Sequence, residues 1–275
     1  MTQAVVRELW TYPVKSCQGV AVDSIDITSL GIVGDRRFAI WADGELVEQK
    51  LNPYVASIGA SLDPDTGLLT LTHPDHGVHQ HRARSEGPLR RARWVLDEFD
   101  AVDQGDEVAE WLSSVLGRNV RLVAPHDPWQ INFPVPQMEL LHEQPKQNFT
   151  AASQVGLANR ASLDDLNTLV DTPVPMDRFR MNVVVDGLAP YAEETVGGLG
   201  NDEVELVQVS PAERCLIITT DQRTGARPEN NLMATLAKYR SKPKDDRFGS
   251  GLKFGNYMTV GKEGTLRVGD GLTPR

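Results

Sequence analysis

Residues 37–49 read RFAIWADGELVEQ, two short apolar runs on either side of Asp43-Gly44. An Asp-Gly pair suits the positive-φ positions of a two-residue hairpin turn, so Arg37–Trp41 and Leu46–Gln49 are predicted to pair as antiparallel strands. The same pattern extends outward in both directions. Ala4–Tyr12 and Gly19–Thr28 precede the hairpin, and Val55–Leu62, Leu68–Thr72 and Arg93–Leu96 follow it, with the turn Asp63-Pro64-Asp65-Thr66-Gly67 between two of them. Strands this short and this frequent predict an antiparallel barrel or sandwich. One helix interrupts them. In Gly105–Gly117, Val108, Trp111, Leu112, Val115 and Leu116 recur at helical spacing, acids lie at the start and a glycine stands at the stop. Arg118–Ala124 returns to strand.

The second half alternates more. Pro125–Asn148 carries five prolines and reads as a linker or an active-site loop. Ser162–Asp171 is predicted to be a helix opened by a capping-box-like Ser162-x-x-Asp165, and Asn231–Arg240 another. Strands are predicted at Met181–Val185, Val204–Ser210, Met258–Val260 and Thr265–Val268.

The bulk numbers exclude several functions. With 275 residues, 40% hydrophobic and 24% charged, the chain suits a globular protein with a substantial core. Its longest uncharged apolar stretches, such as Cys215–Thr219, fall far short of the ~20 residues of a membrane helix. The N-terminal segment has no basic stretch followed by an apolar core and cleavage site. It reads as a first strand, with the cytoplasm as the expected compartment. A formal net charge of −10 argues against nucleic acid or an anionic membrane as partner. Arginines nonetheless cluster. Arg82, Arg84, Arg90, Arg91 and Arg93 read as solvated surface, whereas Arg36-Arg37 and the Arg178, Arg180 pair stand beside apolar strands, where a charge needs a reason. Two cysteines, Cys17 and Cys215, are too few for a disulfide scaffold, a C-x-x-C zinc site or an iron–sulfur cluster. If electrons pass through this chain, another molecule brings them.

Residues 73–81, HPDHGVHQH, gather His73, His76, His79 and His81, the commonest transition-metal ligand type. Pro74 and Gly77 mark a turn across which these side chains splay, so an exposed hairpin is expected, with a zinc-binding module as the rival. There is no G-x-S-x-G elbow, no H-E-x-x-H and no phosphate-binding G-x-x-x-x-G-K-[ST] loop. Gly197-Gly198-Leu199-Gly200 fails as a dinucleotide fingerprint because no helical pattern follows it. What remains are polar islands at strand ends: Lys15-Ser16-Cys17, Arg36-Arg37, and Arg178-Phe-Arg180-Met-Asn182. Donors of these types arriving from separate strands would suit a phosphorylated anion. Residues 210–225, SPAERCLIITTDQRTG, add Cys215 directly after an arginine and directly before an apolar, strand-like run. Its thiol is open to four readings: packing, nucleophilic attack, pairing or metal binding.

In order along the chain, YPVKSCQG, GDRRF, ASLDDLN, RFRMNVVVDG, ERCLIITTDQRTG, FGNYMTV and GTLRVGD resemble the motifs of the MOSC superfamily, whose best-studied enzymes are the mitochondrial amidoxime-reducing component and its bacterial relatives. The resemblance runs from about Val5 to Asp270. It implies an α+β, mostly β fold, with an N-terminal β-barrel-like domain over residues 1–124 packed with a β-barrel MOSC domain over residues 125–275. It implies a molybdenum–molybdopterin cofactor whose metal is bound by Cys215. The cofactor-binding set falls on Lys15, Ser16, Arg37, Ser153, Arg180, Asn182, Arg214 and Tyr257. Where the family commonly has serine, this chain has Glu213, an acid that would repel an anionic cofactor. The implied activity is reduction of N-oxygenated compounds such as hydroxylamines, amidoximes and N-hydroxylated bases, with electrons from a separate donor protein. The alternative is a binding, storage or sulfur-carrier protein with a persulfide on Cys215. Chemistry agrees: molybdenum favours soft thiolate, and an adjacent guanidinium favours the thiolate form.

Overall fold

The structure, a computed structural model, describes residues 3–94, 97–127, 129–130, 146–150, 153–241 and 251–275. Asp43 and Gly44 both take positive φ, 50° and 89°, and the strands Ala39–Ala42 and Glu45–Leu46 pair across them as predicted. This hairpin is part of a closed five-stranded barrel completed by Leu89–Trp94, Asp97–Asp103 and Arg121–Pro125, with Arg93 meeting Glu45 at the closure. Helix α1, Asp106–Leu116, covers it. Val108, Leu112 and Val115 from its apolar stripe join Phe38, Ile40, Leu69, Leu71 and Leu122 in one core. Each such fully buried side chain contributes about 1.5–3 kcal/mol. Gly117 ends α1 at φ 65°, the left-handed cap that the sequence signals.

The second barrel has its own core, including Val6, Leu9, Leu157, Val183, Leu206 and Met258. Its strands run in the order Ala4–Thr11, Val183–Asp186, Val155–Asn159, Leu252–Lys262, Glu205–Arg214, Gly198–Gly200 and Gly271–Pro274, which pairs again with Ala4–Thr11. The first strand of the chain is therefore a stave of the barrel otherwise built from the second half. Ser24–Thr28 likewise pairs with Gly264–Arg267. Helices α2, Arg160–Asn167, and α3, Leu232–Tyr239, pack around Phe179 and Phe254, whose rings stack at 3.8 Å. No helix of the described residues is long and apolar enough to cross a membrane.

Several local expectations differ from what is observed. The predicted strand Val55–Leu62 begins as a 3-10 turn, Pro53–Ser57, because Pro53 presets the first turn; only Gly59–Asp63 is strand. Helix α2 starts earlier than the expected Ser162: Asn159 caps it by accepting from Ala161 N, and Ser162 is buried with its hydroxyl on the Glu193 carboxylate. The apolar run after Cys215 is a 3-10 turn, Leu216–Thr219, because the chain leaves the sheet at Cys215. The expected short strand Met258–Val260 is the centre of the eleven-residue Leu252–Lys262. Of the proline-bearing stretch 125–148, residues 128 and 131–145 lie outside the described residues.

Candidate active site

Strand Glu205–Arg214 stays paired with Leu252–Lys262 down to Arg214 opposite Leu252, through three register shifts, the last of them between Pro211 and Glu213. Cys215 then continues extended, φ −118° and ψ −174°, before the turn Leu216–Thr219 begins. Alternation along extended backbone puts Glu213 and Cys215 on one face and Arg214 on the other. Arg214 duly points inward, donating through Nε to the Phe254 carbonyl and through Nη1 to the Phe179 carbonyl, each at 3.0 Å. Cys215 is exposed, and it lies at a cleft enclosing about 860 Å³ of empty space, part of it open to solvent.

Three segments converge on that cleft. Lys15, Ser16 and Arg36 come from the loops that follow the first strand; Ser153, Arg178, Arg180 and Asn182 come from around Val155–Asn159 and the approach to Val183–Asp186; Glu213 to Cys215 and Tyr257 come from the paired long strands. Ser16, Arg36 and Arg180 take φ of 71°, 44° and 54°, and the only other non-glycine residues at positive φ among the described ones are Asp43 and Tyr191. Backbone strain is thus concentrated where the cleft is built, as at functional sites generally.

The lining is strongly cationic. Lys15, Arg36, Arg178, Arg180 and Arg214 face Glu213 as the single acid. The Tyr12 ring carries the Arg36 and Arg180 guanidinium groups, each at 4.4 Å from its centroid, while its hydroxyl donates to the Met181 carbonyl at 3.1 Å. Arg36 also bonds Asp35, Asn182 Oδ1 and the Arg180 carbonyl. Arg180 Nη1 donates to the Cys17 carbonyl at 2.7 Å and to Gln222 Oε1 at 2.8 Å. Burial lowers Arg180 to about 10, and it also lowers Arg214. Neither pairs with a carboxylate among the described residues. Arg178 reaches Asp221 at 3.1 Å, but its Nε is buried with no partner. Lys15 Nζ lies 3.8 Å over the Trp94 ring and 3.5 Å from Glu48; burial pushes it down to about 8 against the opposing pull of Glu48. Buried cations without counter-charge are costly, so the cleft is complementary to an anion.

Of the residues singled out from sequence, Lys15, Ser16, Ser153, Arg180, Asn182, Arg214, Cys215 and Tyr257 all line this cleft. Arg37 does not. The left-handed turn at Arg36 presents Arg36 to the cleft, and the Arg37 guanidinium lies 6.0 Å from the Phe38 ring instead. Arg178, part of the Arg178-Phe-Arg180-Met-Asn182 island but outside the cofactor-binding set that the resemblance implies, lines the cleft as well. Asn182 is saturated by the protein. Its Nδ2 donates to the Trp10 carbonyl and Asp35 Oδ1, and its Oδ1 accepts from Gly156 N and Arg36 Nη1. It therefore positions the cleft. Ser16 Oγ accepts from Gln49 N at 3.0 Å, and Ser153 Oγ donates to the Val155 carbonyl at 3.0 Å. Burial raises Tyr257, whose hydroxyl donates to the Glu213 carbonyl at 3.1 Å. The Glu213 carboxylate is taken by Lys253 Nζ at 2.7 Å.

The other candidates disperse. Cys17 is fully buried in the first barrel's core, and burial pushes its thiol up to about 12. His73 meets the Tyr54 hydroxyl, His76 meets Ser114, His79 stacks on Trp111 and His81 meets Gln104. Among the described residues no group of three or more His, Cys, Asp or Glu is arranged to hold a metal ion.

The comparisons with known proteins agree with the two-barrel fold. The MOSC N-terminal beta barrel domain matches residues 3–119 and the MOSC domain residues 144–273. Mitochondrial amidoxime reducing component 2 of Bos taurus is 31% identical over 277 residues, covering 96% of this chain and 81% of that one. Mitochondrial amidoxime-reducing component 1 of Homo sapiens is 29% identical over 279 residues, with the same coverage of 96% and 81%. Molybdenum cofactor sulfurase of Oryza sativa subsp. japonica is 28% identical over 270 residues, 92% of this chain but 33% of that protein. With both barrels matched and the likeness to the amidoxime-reducing components running nearly end to end, the chain belongs to the MOSC family.

Proposed function

We propose that this protein is a molybdenum-cofactor-dependent reductase of N-oxygenated compounds, supplied with electrons by a separate donor protein. The observation that carries the reading is an exposed thiol in a strained cleft where two buried guanidinium groups, Arg180 and Arg214, have no carboxylate partner among the described residues. The amidoxime-reducing and molybdenum-cofactor names of its relatives support it.

The residues present fit such a group. Cys215 offers the soft, accessible sulfur that molybdenum favours. Arg180 and Arg214 are buried cations without a carboxylate, and the orphaned Arg178 Nε is a further donor at the same wall. Together with Lys15 and Arg36 they would hold the anionic parts of the cofactor, and Ser16 and Ser153 would offer it neutral polar contacts. When bound, the cofactor supplies the two-electron redox chemistry. The protein's part is to fix the sulfur, supply positive charge and hold the strained loops. Asn182, Tyr12 and the Glu213 carbonyl do the last of these through their hydrogen bonds. The test is elemental analysis after expression in a molybdopterin-competent host, together with hydroxylamine reduction driven by an artificial reductant. We expect molybdenum and turnover; protein loaded with cofactor yet inert toward every N-oxygenated substrate would overturn the reading.

Lys15 gives a pH dependence with a definite sign. Its ammonium is charged below about 8 and neutral above. A bound phosphate keeps it charged, so affinity is full below that pH and falls as pH rises through it, by up to about tenfold per unit. Calorimetric titration with pyrophosphate from pH 7 to 9 should show this decline, and Lys15→Met should flatten it. A flat wild-type profile contradicts the assignment.

The second reading, sulfur delivery with a persulfide on Cys215, draws on the likeness to the sulfurase and on the exposure of the thiol. Intact-mass spectrometry showing that sulfur on Cys215 and its transfer to an acceptor would favour it.

A further inference from the structure

Glu213 is the only carboxylate-bearing residue among those that line the cleft. Its Oε1 receives Lys253 Nζ at 2.7 Å, and its carbonyl receives the Tyr257 hydroxyl at 3.1 Å. The two ends of the ion pair differ in exposure: the Lys253 side chain is 1% exposed and that of Glu213 is 50%. The ammonium therefore backs the carboxylate from inside, and the half-exposed carboxylate belongs to a residue of the cleft wall. Its Oε2 has no partner among the described residues. Gly251 leaves it room, since a Cβ there would lie 2.9 Å from Glu213 Cδ. Cys215 stands two residues on along extended backbone, on the same face and about 6–7 Å away by strand geometry.

We propose that Glu213 is the substrate-recognition residue of this cleft, selecting N-oxygenated substrates whose reduced product is a cation, above all amidoximes. The inference rests on the reductase reading. An amidoxime that gains two electrons and two protons loses its N–O bond: the oxygen leaves as water and the nitrogen keeps one proton. A third proton gives the amidinium. The electrons come from the reduced donor protein or an artificial one-electron reductant. Positive charge thus develops over a planar N–C–N unit whose N–H groups match a carboxylate. In a cleft otherwise lined by Lys15, Arg36, Arg180 and Arg214, Glu213 is the one group that attracts that charge. An aryl hydroxylamine gives a neutral amine and gains nothing from it.

Benzamidoxime and phenylhydroxylamine, assayed on the same cofactor-loaded preparation, separate the two cases. In Glu213→Gln the ratio of their kcat/KM values should fall about tenfold toward phenylhydroxylamine, and the inhibition constant of benzamidine should rise about tenfold, as expected when one charge-assisted contact is lost. Glu213→Asp should recover part of both. Because Glu213→Gln takes a carboxylate away from a buried ammonium, the double variant Glu213→Gln/Lys253→Met is assayed beside it and should show the same shift. A ratio and an inhibition constant equal to wild type in both variants would overturn the proposal. Titration of benzamidine against the protein as purified keeps this distinct from the reductase reading. Wild-type protein that binds benzamidine through Glu213 but reduces neither substrate defeats only the latter. Benzamidine binding that is absent, or indifferent to Glu213, defeats the proposal.

Discussion

Cys215→Ala is expected to fold as the wild type does, to keep its pterin, and to lose reduction of N-oxygenated substrates by at least about 100-fold, the upper range for losing even an outer partner of a metal ligand. The fold is indifferent because the Cys215 side chain is exposed and belongs to neither barrel core. Substitutions at such positions stay within about 0.5 kcal/mol. The pterin stays because Lys15, Arg36, Arg180 and Arg214 are untouched, and the Arg214 guanidinium still ties the strand end to the Phe254 and Phe179 carbonyls. Turnover goes because no other thiol lines the cleft. Cys17 is closed inside the first barrel, its thiol pushed up to about 12 by burial. Thermal unfolding, pterin fluorescence after extraction and steady-state reduction measure the three parts separately. Unchanged turnover would remove Cys215 from the chemistry.

Asn182→Leu should have the opposite profile, damaging the fold first. The side chain is 1% exposed, and its amide serves Trp10, Asp35, Gly156 and Arg36 together. Leucine takes this partner from Gly156 N and the Trp10 carbonyl, while Arg36 Nη1 keeps Asp35 Oδ2 and Asp35 Oδ1 keeps Tyr12 N, all in a site that water does not easily enter. At about 1–3 kcal/mol for each buried group left unsatisfied, partly relieved by relaxation, the loss is about 3–5 kcal/mol. In a protein of this size that lowers the melting temperature by roughly 6–15 °C. Anion binding should weaken as well, because Arg36 loses the contact that aims it. A melting temperature within about 2 °C of wild type, well inside the scale of one kcal/mol, would show that Asn182 is not the hub its hydrogen bonds describe.

How much of this was legible beforehand varies with how local each determinant is. The Asp43-Gly44 hairpin and helix α1 were readable because turn chemistry and helical periodicity act over a few residues. The membership of Ala4–Thr11 in the second barrel was not, since nothing in those eight residues names partners as distant as Val183–Asp186 and Gly271–Pro274. The turn after Cys215 was missed because Leu216, Ile217 and Ile218 look like strand; only the Ile218 N to Cys215 O bond shows the chain leaving the sheet. In the cleft, residue types carried most of the information. Choosing Arg36 over Arg37 depended on one dihedral of 44°, which an Arg-Arg sequence does not reveal. Glu213 looked like an obstacle to an anionic cofactor until its partner appeared, and Lys253 lies forty residues further along the chain.

The central claim is that Cys215 is a ligand of molybdenum in this cleft. Molybdenum K-edge X-ray absorption on wild type and Cys215→Ala, prepared from the same molybdopterin-competent host, tests it most directly. One sulfur fewer is expected around the metal in the variant. Equal sulfur counts in the two proteins would contradict it.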